Sequence, residues 1–477
     1  MPKNSLCILL LAGIFTSATV VTAQQRPNVL FIAVDDMRTE LGCYGKAVIK
    51  SPNIDKLASQ GTLFEKAYCM VSVCGASRSA LLTSIRPKHN RFVGAHIYAS
   101  KDAPDAIPLH THFKNHGYTT VNNGKIFHFA NDHADGWSER AWRPPGPAYA
   151  LKESLDQRVT TTQNRNGQSV EVTNGPAWEC ADVPDNAYAD GKTLEKSLVD
   201  LRRLAEAKQP FFFAVGFLKP HLPFVAPKKY WDLYKEEDIP LPENLEYIPK
   251  DAPKEAIHSF GEMRNYTNIA KEGLVAPEVA RKLIHGYYAC VSYTDAQIGR
   301  LLDELDKLGL ADNTIVVLWG DHGWMLGEHT MWCKHCVFEN AMNAPLIFRL
   351  PGQKQPIRVT SPVEFIDIYP SLCELASLPE PQKDQIQGKS IVPLLKGQTV
   401  SEKRYAIGRY VTGDTIFDGR YRYSEFRANG GAGAFRSRML YDHSIDPREN
   451  VNIVDAPANA SVVEELSKEL RRVMRLP

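Results

Sequence analysis

The stretch Asn28-Val29-Leu30-Phe31-Ile32-Ala33-Val34, running straight into Asp35-Asp36, decides the fold. An unbroken apolar run that ends abruptly in charge reads as a central strand buried on both faces, the habit of parallel sheets. Carboxylates at the C-terminal end of such a strand stand where ligands bind in open α/β sheets. The pattern returns far downstream, where Thr314 to Trp319 (T-I-V-V-L-W) runs into Gly320-Asp321-His322-Gly323. Two apolar strands, each finishing in acidic or imidazole side chains, predict neighbouring strands that pool one site. Phe211 to Val215 (F-F-F-A-V) is a third such strand and leads to Lys219-Pro220-His221.

Helical periodicity is clearest from Pro277 to Leu308, where Val279, Leu283, Tyr287, Val291, Ile298, Leu302 and Leu305 recur at near-helical spacing. Shorter helices fit Asn53 to Gln60, Ser77 to Thr83 and Leu109 to His116. Strands alternating with helices predict an α/β fold, a large mainly parallel sheet covered on both faces. Pro379 to Gln398, rich in Pro, Gln and Lys, reads as a surface connection. Beyond it, Arg404 to Tyr410, Thr415 to Phe417, Tyr421 to Glu425 and Met439 to Tyr441 read as short strands, and Ala460 to Met474 as a closing helix. The expected organisation is a catalytic domain over residues 24–400 and a small antiparallel α+β subdomain over residues 401–477.

A chain of 477 residues has ample length for a large buried core; its formal net charge is +1 and no Lys/Arg block stands out, so a nucleic-acid-binding surface has no support. An anionic substrate must then be captured by a local basic pocket. Lys3, the apolar stretch Leu6 to Phe15 and the A-x-A-like Val21-Thr22-Ala23 predict a cleaved export signal over residues 1–23 and a secreted or periplasmic protein without a stable membrane anchor. Nine cysteines show no regular framework. Cys333 and Cys336 form a C-x-x-C without a second zinc-spaced pair, so a local disulfide or two unpaired thiols is expected.

The most informative segment is Cys74-Gly75-Ala76-Ser77-Arg78, followed by Ser79-Ala80-Leu81-Leu82-Thr83. It resembles the signature of the type I sulfatases, whose cysteine a maturation enzyme oxidises to formylglycine. Alone the pentapeptide is weak; its company is what counts. Asp35-Asp36-Met37-Arg38, Gly124-Lys125-Ile126-Phe127-His128, Lys219-Pro220-His221-Leu222-Pro223-Phe224 and Asp321-His322-Gly323-Trp324 occur in order and look like the iduronate-2-sulfatase branch. The resemblance spans Arg26 to about Asn452 and implies an alkaline-phosphatase-like fold acting on a sulfated oligo- or polysaccharide.

The chemistry explains the residue types. Cleaving a sulfate ester requires neutralising the sulfuryl oxygens, sharpening a nucleophile and protonating the leaving oxygen. Hard carboxylates at Asp35, Asp36 and Asp321 suit Ca²⁺, or Mg²⁺ as the alternative, and the resemblance adds His322 and the modified Cys74 as ligands. Lys125 and Lys334 would grip the sulfate, and Arg78 the gem-diol or sulfate oxygens. By resemblance, the hydrate at position 74 attacks sulfur, His221 is the general acid and His128 takes the proton that releases sulfate. Trp324 and His329, on the loop after the metal ligands, are candidates for sugar contact or for a structural role. Ala76 replaces a commoner Pro, and Ser84-Ile85-Arg86 the usual Gly-Arg; the latter change is expected to touch packing alone. The competing readings are a phosphodiesterase or phosphonate hydrolase of the same superfamily, and a non-catalytic binder of sulfated glycans.

Overall fold

The computed structural model describes residues 26–476 apart from 166–167, 260, 382–383 and 403, so the export signal read at residues 1–23 lies outside the described residues. Its centre is a seven-stranded sheet in the order Ile357–Val359, Thr62–Phe64, Leu346–Arg349, Thr314–Gly320, Asn28–Val34, Phe211–Phe217, Thr119–Gly124. All pairings are parallel except those of Leu346–Arg349 with its two neighbours.

The Asn28–Val34 strand is buried along its whole length. Its side chains divide by parity, as a pleated strand requires. Leu30, Ile32 and Val34 join Phe213, Val215, Val316 and Leu318 on the face covered by the long Pro277–Lys307 helix. Val29, Phe31 and Ala33 point the other way, with Phe212, Trp319 and the Cys74–Thr83 helix. Phe31 lies 5.5 Å from the Phe212 ring and 5.4 Å from that of Trp319. Burying each such side chain contributes about 1.5–3 kcal/mol, and two apolar faces explain why no polar residue interrupts the run.

Register then sets the chemistry. Val34 pairs with Gly320 on one side and Phe217 on the other, and Gly124 with Gly216. Four parallel strands therefore end level, and Asp35, Asp321 and Lys125, each the next residue of its strand, emerge along one edge with Lys219, two residues past Phe217.

The C-terminal sheet is antiparallel, in the order Ala406–Tyr410, Gly413–Phe417, Tyr421–Arg427, Phe435–Asp442. The Ala460–Met474 helix covers it with Val463, Leu466, Leu470 and Met474, packed with Ile407, Ile416, Tyr423 and Leu440. The sheet is tied to the larger body by Arg422, which ion-pairs with Glu339 and with Glu449 at 3.0 Å and stacks over Tyr68 and Phe417.

Two expectations need correction. The segment Pro379 to Gln398 is not wholly a surface connection: Ile391, Val392 and Leu395 are buried around a short helix, Val392–Leu395, because the apolar residues follow the polar ones. The helix expected from Ser77 begins earlier, at Cys74, since Ser77 N donates to the Val73 carbonyl at 3.0 Å. A hairpin of Val159–Arg165 and Gln168–Asn174 has no counterpart in the sequence reading. Cys333 and Cys336 are both unpaired thiols, as are the other described cysteines.

Candidate active site

Cys74 opens its helix at the C-terminal edge of the sheet and is fully buried. Its neighbour must be glycine: a Cβ on Gly75 would sit 1.9 Å from the Ala95 carbonyl oxygen. We expect Gly75→Ala to lower unfolding stability by about 1–3 kcal/mol, the range for overpacking a tight site, measured by denaturant melts. An unchanged midpoint would show that the Ala95 segment yields freely.

Around Cys74 the expected metal ligands converge. Asp35, Asp36, Cys74 and His221 each bring a ligand atom within 4.8 Å of one another, and so do Cys74, Asp321 and His322. Cys74 Sγ lies 3.3 Å from His322 Nε2 and 3.7 Å from Asp36 Oδ1. His322 Nδ1 bonds the Gly323 carbonyl at 2.9 Å, which makes it the protonated nitrogen and leaves a lone pair on Nε2. That lone pair faces Asp36 Oδ1 at 3.3 Å and Asp321 Oδ1 at 3.6 Å. Acceptors aimed at one another in a dry pocket suit a hard divalent cation, and the donor set fits one.

Several contacts fix these carboxylates. Asp36 adopts a left-handed φ of 60°, its N–H donates to Asp321 Oδ1 at 3.0 Å, and its carbonyl accepts the Tyr287 hydroxyl from the long helix at 2.9 Å. Ser77 Oγ donates to the Asp321 carbonyl. Arg78 is wholly buried; Nε meets Asp321 Oδ2 at 2.8 Å, NH2 meets Asp35 Oδ1 at 3.0 Å, and NH1 donates to the carbonyls of Lys125 and Ile126. Four of its five N–H groups are thus committed to protein. This alters the expectation for Arg78, whose geometry is that of a brace for the two aspartates.

Lys125 Nζ sits 2.5 Å from Asp35 Oδ2. Its backbone passes so close to Gly216 that a Cβ there would lie 2.0 Å from the Lys125 carbonyl oxygen. Lys334 Nζ reaches both oxygens of Asp36, at 3.1 and 3.0 Å, and rests over the Trp324 ring at 4.9 Å, between the left-handed residues Cys333 and His335. Burial opposes the charge on Asp35, but Lys125 and Arg78 hold its carboxyl well below the usual range. The Cys74 thiol moves the other way. Burial and then Asp35 push it up, so it is not a ready thiolate.

His221 Nδ1 bonds the Leu222 carbonyl at 2.6 Å, turning Nε2 toward Asp36 Oδ2 at 3.8 Å. Its loop is anchored by Asp190, which accepts the N–H groups of Leu218 and Lys219 at 2.8 and 2.7 Å. Burial disfavours its charge, but Asp36 and Glu262 outweigh this and raise its pKa. His128 is the opposite case: burial, Lys125 and His96 lower it to about 2, so its ring is neutral. It lies 5.0 Å from the His96 ring, with Nδ1 buried and without a hydrogen bond among the described residues.

Trp324 and His329 are both buried. The first lies beneath Lys334; the second donates from Nε2 to the Arg448 carbonyl at 2.9 Å and neighbours Asn244. Neither ring offers a face to solvent, so of the two roles left open by sequence the geometry favours support over sugar contact. Ser84 occupies a left-handed position, φ 54°, that glycine would favour, and its hydroxyl compensates by bonding the Ile366 carbonyl at 2.8 Å. A cavity of about 770 Å³ lies past this end of the helix, lined by Arg86, Lys88, Arg91 and Arg475 among others, and contains none of the site residues above.

Two site residues escaped the sequence reading. Glu262 places Oε1 3.1 Å from Lys334 Nζ and 3.3 Å from His221 Nε2. Arg143 donates to the Phe127 carbonyl at 2.7 Å, and burial with Arg78 lowers it to about 10. Both sit on irregular segments, where no periodicity marks a position.

The chain is a sulfuric ester hydrolase and belongs to the sulfatase family: the Sulfatase model matches residues 27–378, and the N-sulphoglucosamine sulphohydrolase C-terminal model residues 327–475. Homo sapiens iduronate 2-sulfatase is 34% identical over 408 residues, covering 83% of this chain and 72% of that protein. A structure solved with its substrate D-glucosamine-2-N,6-O-disulfate superposes at a TM-score of 0.72 with 22% identity, covering 94% of this chain and 98% of that one. The phosphonate monoester hydrolase from Silicibacter pomeroyi superposes at 0.73 with 24% identity over 95% of this chain and 96% of its own. These two likenesses are of fold.

Proposed function

We propose that this chain is an exported, calcium-dependent sulfatase that removes a sulfate ester from a sulfated saccharide, acting at a chain end, with a 2-O-sulfated uronic acid or related sugar as first substrate class. The observation that carries this reading is the convergence of Asp35, Asp36, Asp321, His322 and Cys74 on one buried point, flanked by Lys125 and Lys334. The similarity to iduronate 2-sulfatase supports the sugar, and the saccharide complex of the structural neighbour is consistent with that class. Among the described residues no helix is long and apolar enough to cross a membrane.

A divalent cation held by these carboxylates and His322 would supply Lewis acidity toward the sulfuryl oxygens. Oxidation of Cys74 by a maturation enzyme to formylglycine would supply, once hydrated, an oxygen nucleophile in place of the thiol. Lys125 and Lys334, anchored on Asp35 and Asp36, present positive charge on either flank of residue 74. His221, with Nδ1 tied to the Leu222 carbonyl, points Nε2 into the site and delivers a proton to the departing sugar oxygen. His128, held neutral, accepts the proton whose loss releases sulfate. We assign Arg78 to holding the aspartates, and Trp324 and His329 to supporting the loop that carries Lys334.

The nearest alternative is phosphonate or phosphate-diester hydrolysis, which the fold of the Silicibacter pomeroyi enzyme accommodates. Matched sulfate and phosphonate esters, together with defined sulfated disaccharides, separate the two. We expect kcat/KM to favour sulfate by about a hundredfold or more. Preference for the phosphorus esters overturns the assignment.

A further inference from the structure

Lys334 and His221, two donors of the proposed site, are already bridged by an anion that belongs to the protein. Glu262 Oε1 lies 3.1 Å from Lys334 Nζ and 3.3 Å from His221 Nε2, and its side chain is 23% exposed. Lys334 itself is only 2% exposed, so Glu262 lies between its ammonium and solvent on that side. The other oxygen, Oε2, is buried without a hydrogen bond among the described residues; His335 Nε2 stands 3.7 Å away, on an imidazole that burial lowers to about 3 and so keeps neutral. One carboxylate oxygen is thus held by two donors while the other gains little from its surroundings, an arrangement that fixes the group by charge rather than by a full hydrogen-bond set. The flanking chain is irregular: Glu262 immediately precedes the short turn Met263–Asn265, whose Met263 is buried in the core.

We infer that Glu262 is a resident stand-in for the sulfate group: its Oε1 occupies the position between Lys334 and His221 that a sulfuryl oxygen takes, and every sulfate ester, as well as the product sulfate, must displace it to bind. This inference rests on the sulfatase reading for its meaning, since that reading makes Lys334 and His221 substrate donors. The consequence is directional. A carboxylate competing for the same donors weakens the binding of all sulfate-bearing ligands alike, so it raises KM and also limits inhibition by released sulfate. A carboxylate that merely oriented His221 would act on kcat, and one that received a sugar hydroxyl would lower KM.

The test is Glu262→Gln in the full chain supplied with calcium, which removes the competing charge while keeping shape and hydrogen bonding. Inorganic sulfate binding is measured by calorimetry and as competitive inhibition of 4-nitrophenyl sulfate cleavage. We expect the variant to bind sulfate about tenfold more tightly, equivalent to about 1.4 kcal/mol, with KM for the ester falling in parallel and kcat no higher. Unchanged or weaker sulfate binding overturns the inference, as does a loss of kcat at constant affinity, or the absence of measurable sulfate binding in both proteins. Glu262→Ala, which should move in the same direction, guards against a peculiarity of glutamine. A wild-type chain that cleaves no sulfate ester defeats the sulfatase reading, while the calorimetric comparison still decides the placement of Glu262.

Discussion

Cys74→Ala abolishes turnover, by about 10⁴-fold or more, the scale on which losing a covalent nucleophile acts. The expectation rests on position. Residue 74 opens a helix whose first backbone N–H groups favour developing negative charge, and its side chain is the one atom group shared by both sets of potential metal ligands. The substitution removes one sulfur and leaves its neighbours in place, because Asp36 and Asp321 are held by Tyr287, Arg78 and backbone N–H groups rather than by the thiol. The melting temperature should therefore stay close to that of the parent, and circular dichroism with kinetics on one preparation checks both. Turnover surviving in Cys74→Ala ends the nucleophile assignment. In protein from a host that carries the maturation enzyme, mass analysis of the peptide spanning residue 74 should find the aldehyde or its hydrate.

The second large effect concerns the cation. Calcium binds the folded site and not the unfolded chain, so a chelator lowers the melting temperature and calcium restores it; at a hundredfold excess over Kd the gain is about 2.7 kcal/mol. In an Asp35→Asn, Asp321→Asn double variant this calcium-dependent shift should vanish. Its baseline stability should also fall. Arg78 and Lys125 are buried against these aspartates, and uncoupling a buried ion pair costs about 3–5 kcal/mol, moderated here because asparagine still offers an accepting oxygen. The two effects separate cleanly when each protein is melted with and without chelator. A double variant that still gains stability from calcium removes the metal assignment, whatever its baseline.

Much of the molecule was legible beforehand where one local rule dominates. The Asn28–Val34, Phe211–Phe217 and Thr314–Gly320 strands are apolar throughout because both faces are covered, and the Pro277–Lys307 helix shows its buried stripe directly. The short helix at Val392–Leu395 went unseen because a polar stretch precedes it, and propensity averages over a window wider than the element.

The residues of one chain, taken in order, specified which segments become strands, which side chains end them and what chemistry those side chains suit. They did not fix partnership. That Arg78 would spend four donors on aspartates and carbonyls, that Trp324 would lie under Lys334, and that Glu262 would reach across to Lys334 and His221 depended on contacts between parts of the chain up to 243 positions apart. The reason is physical: periodicity and local propensity act over a turn of helix or a pair of strands, whereas the direction of a charged side chain is settled by whichever opposite charge the finished packing brings within about 3–4 Å.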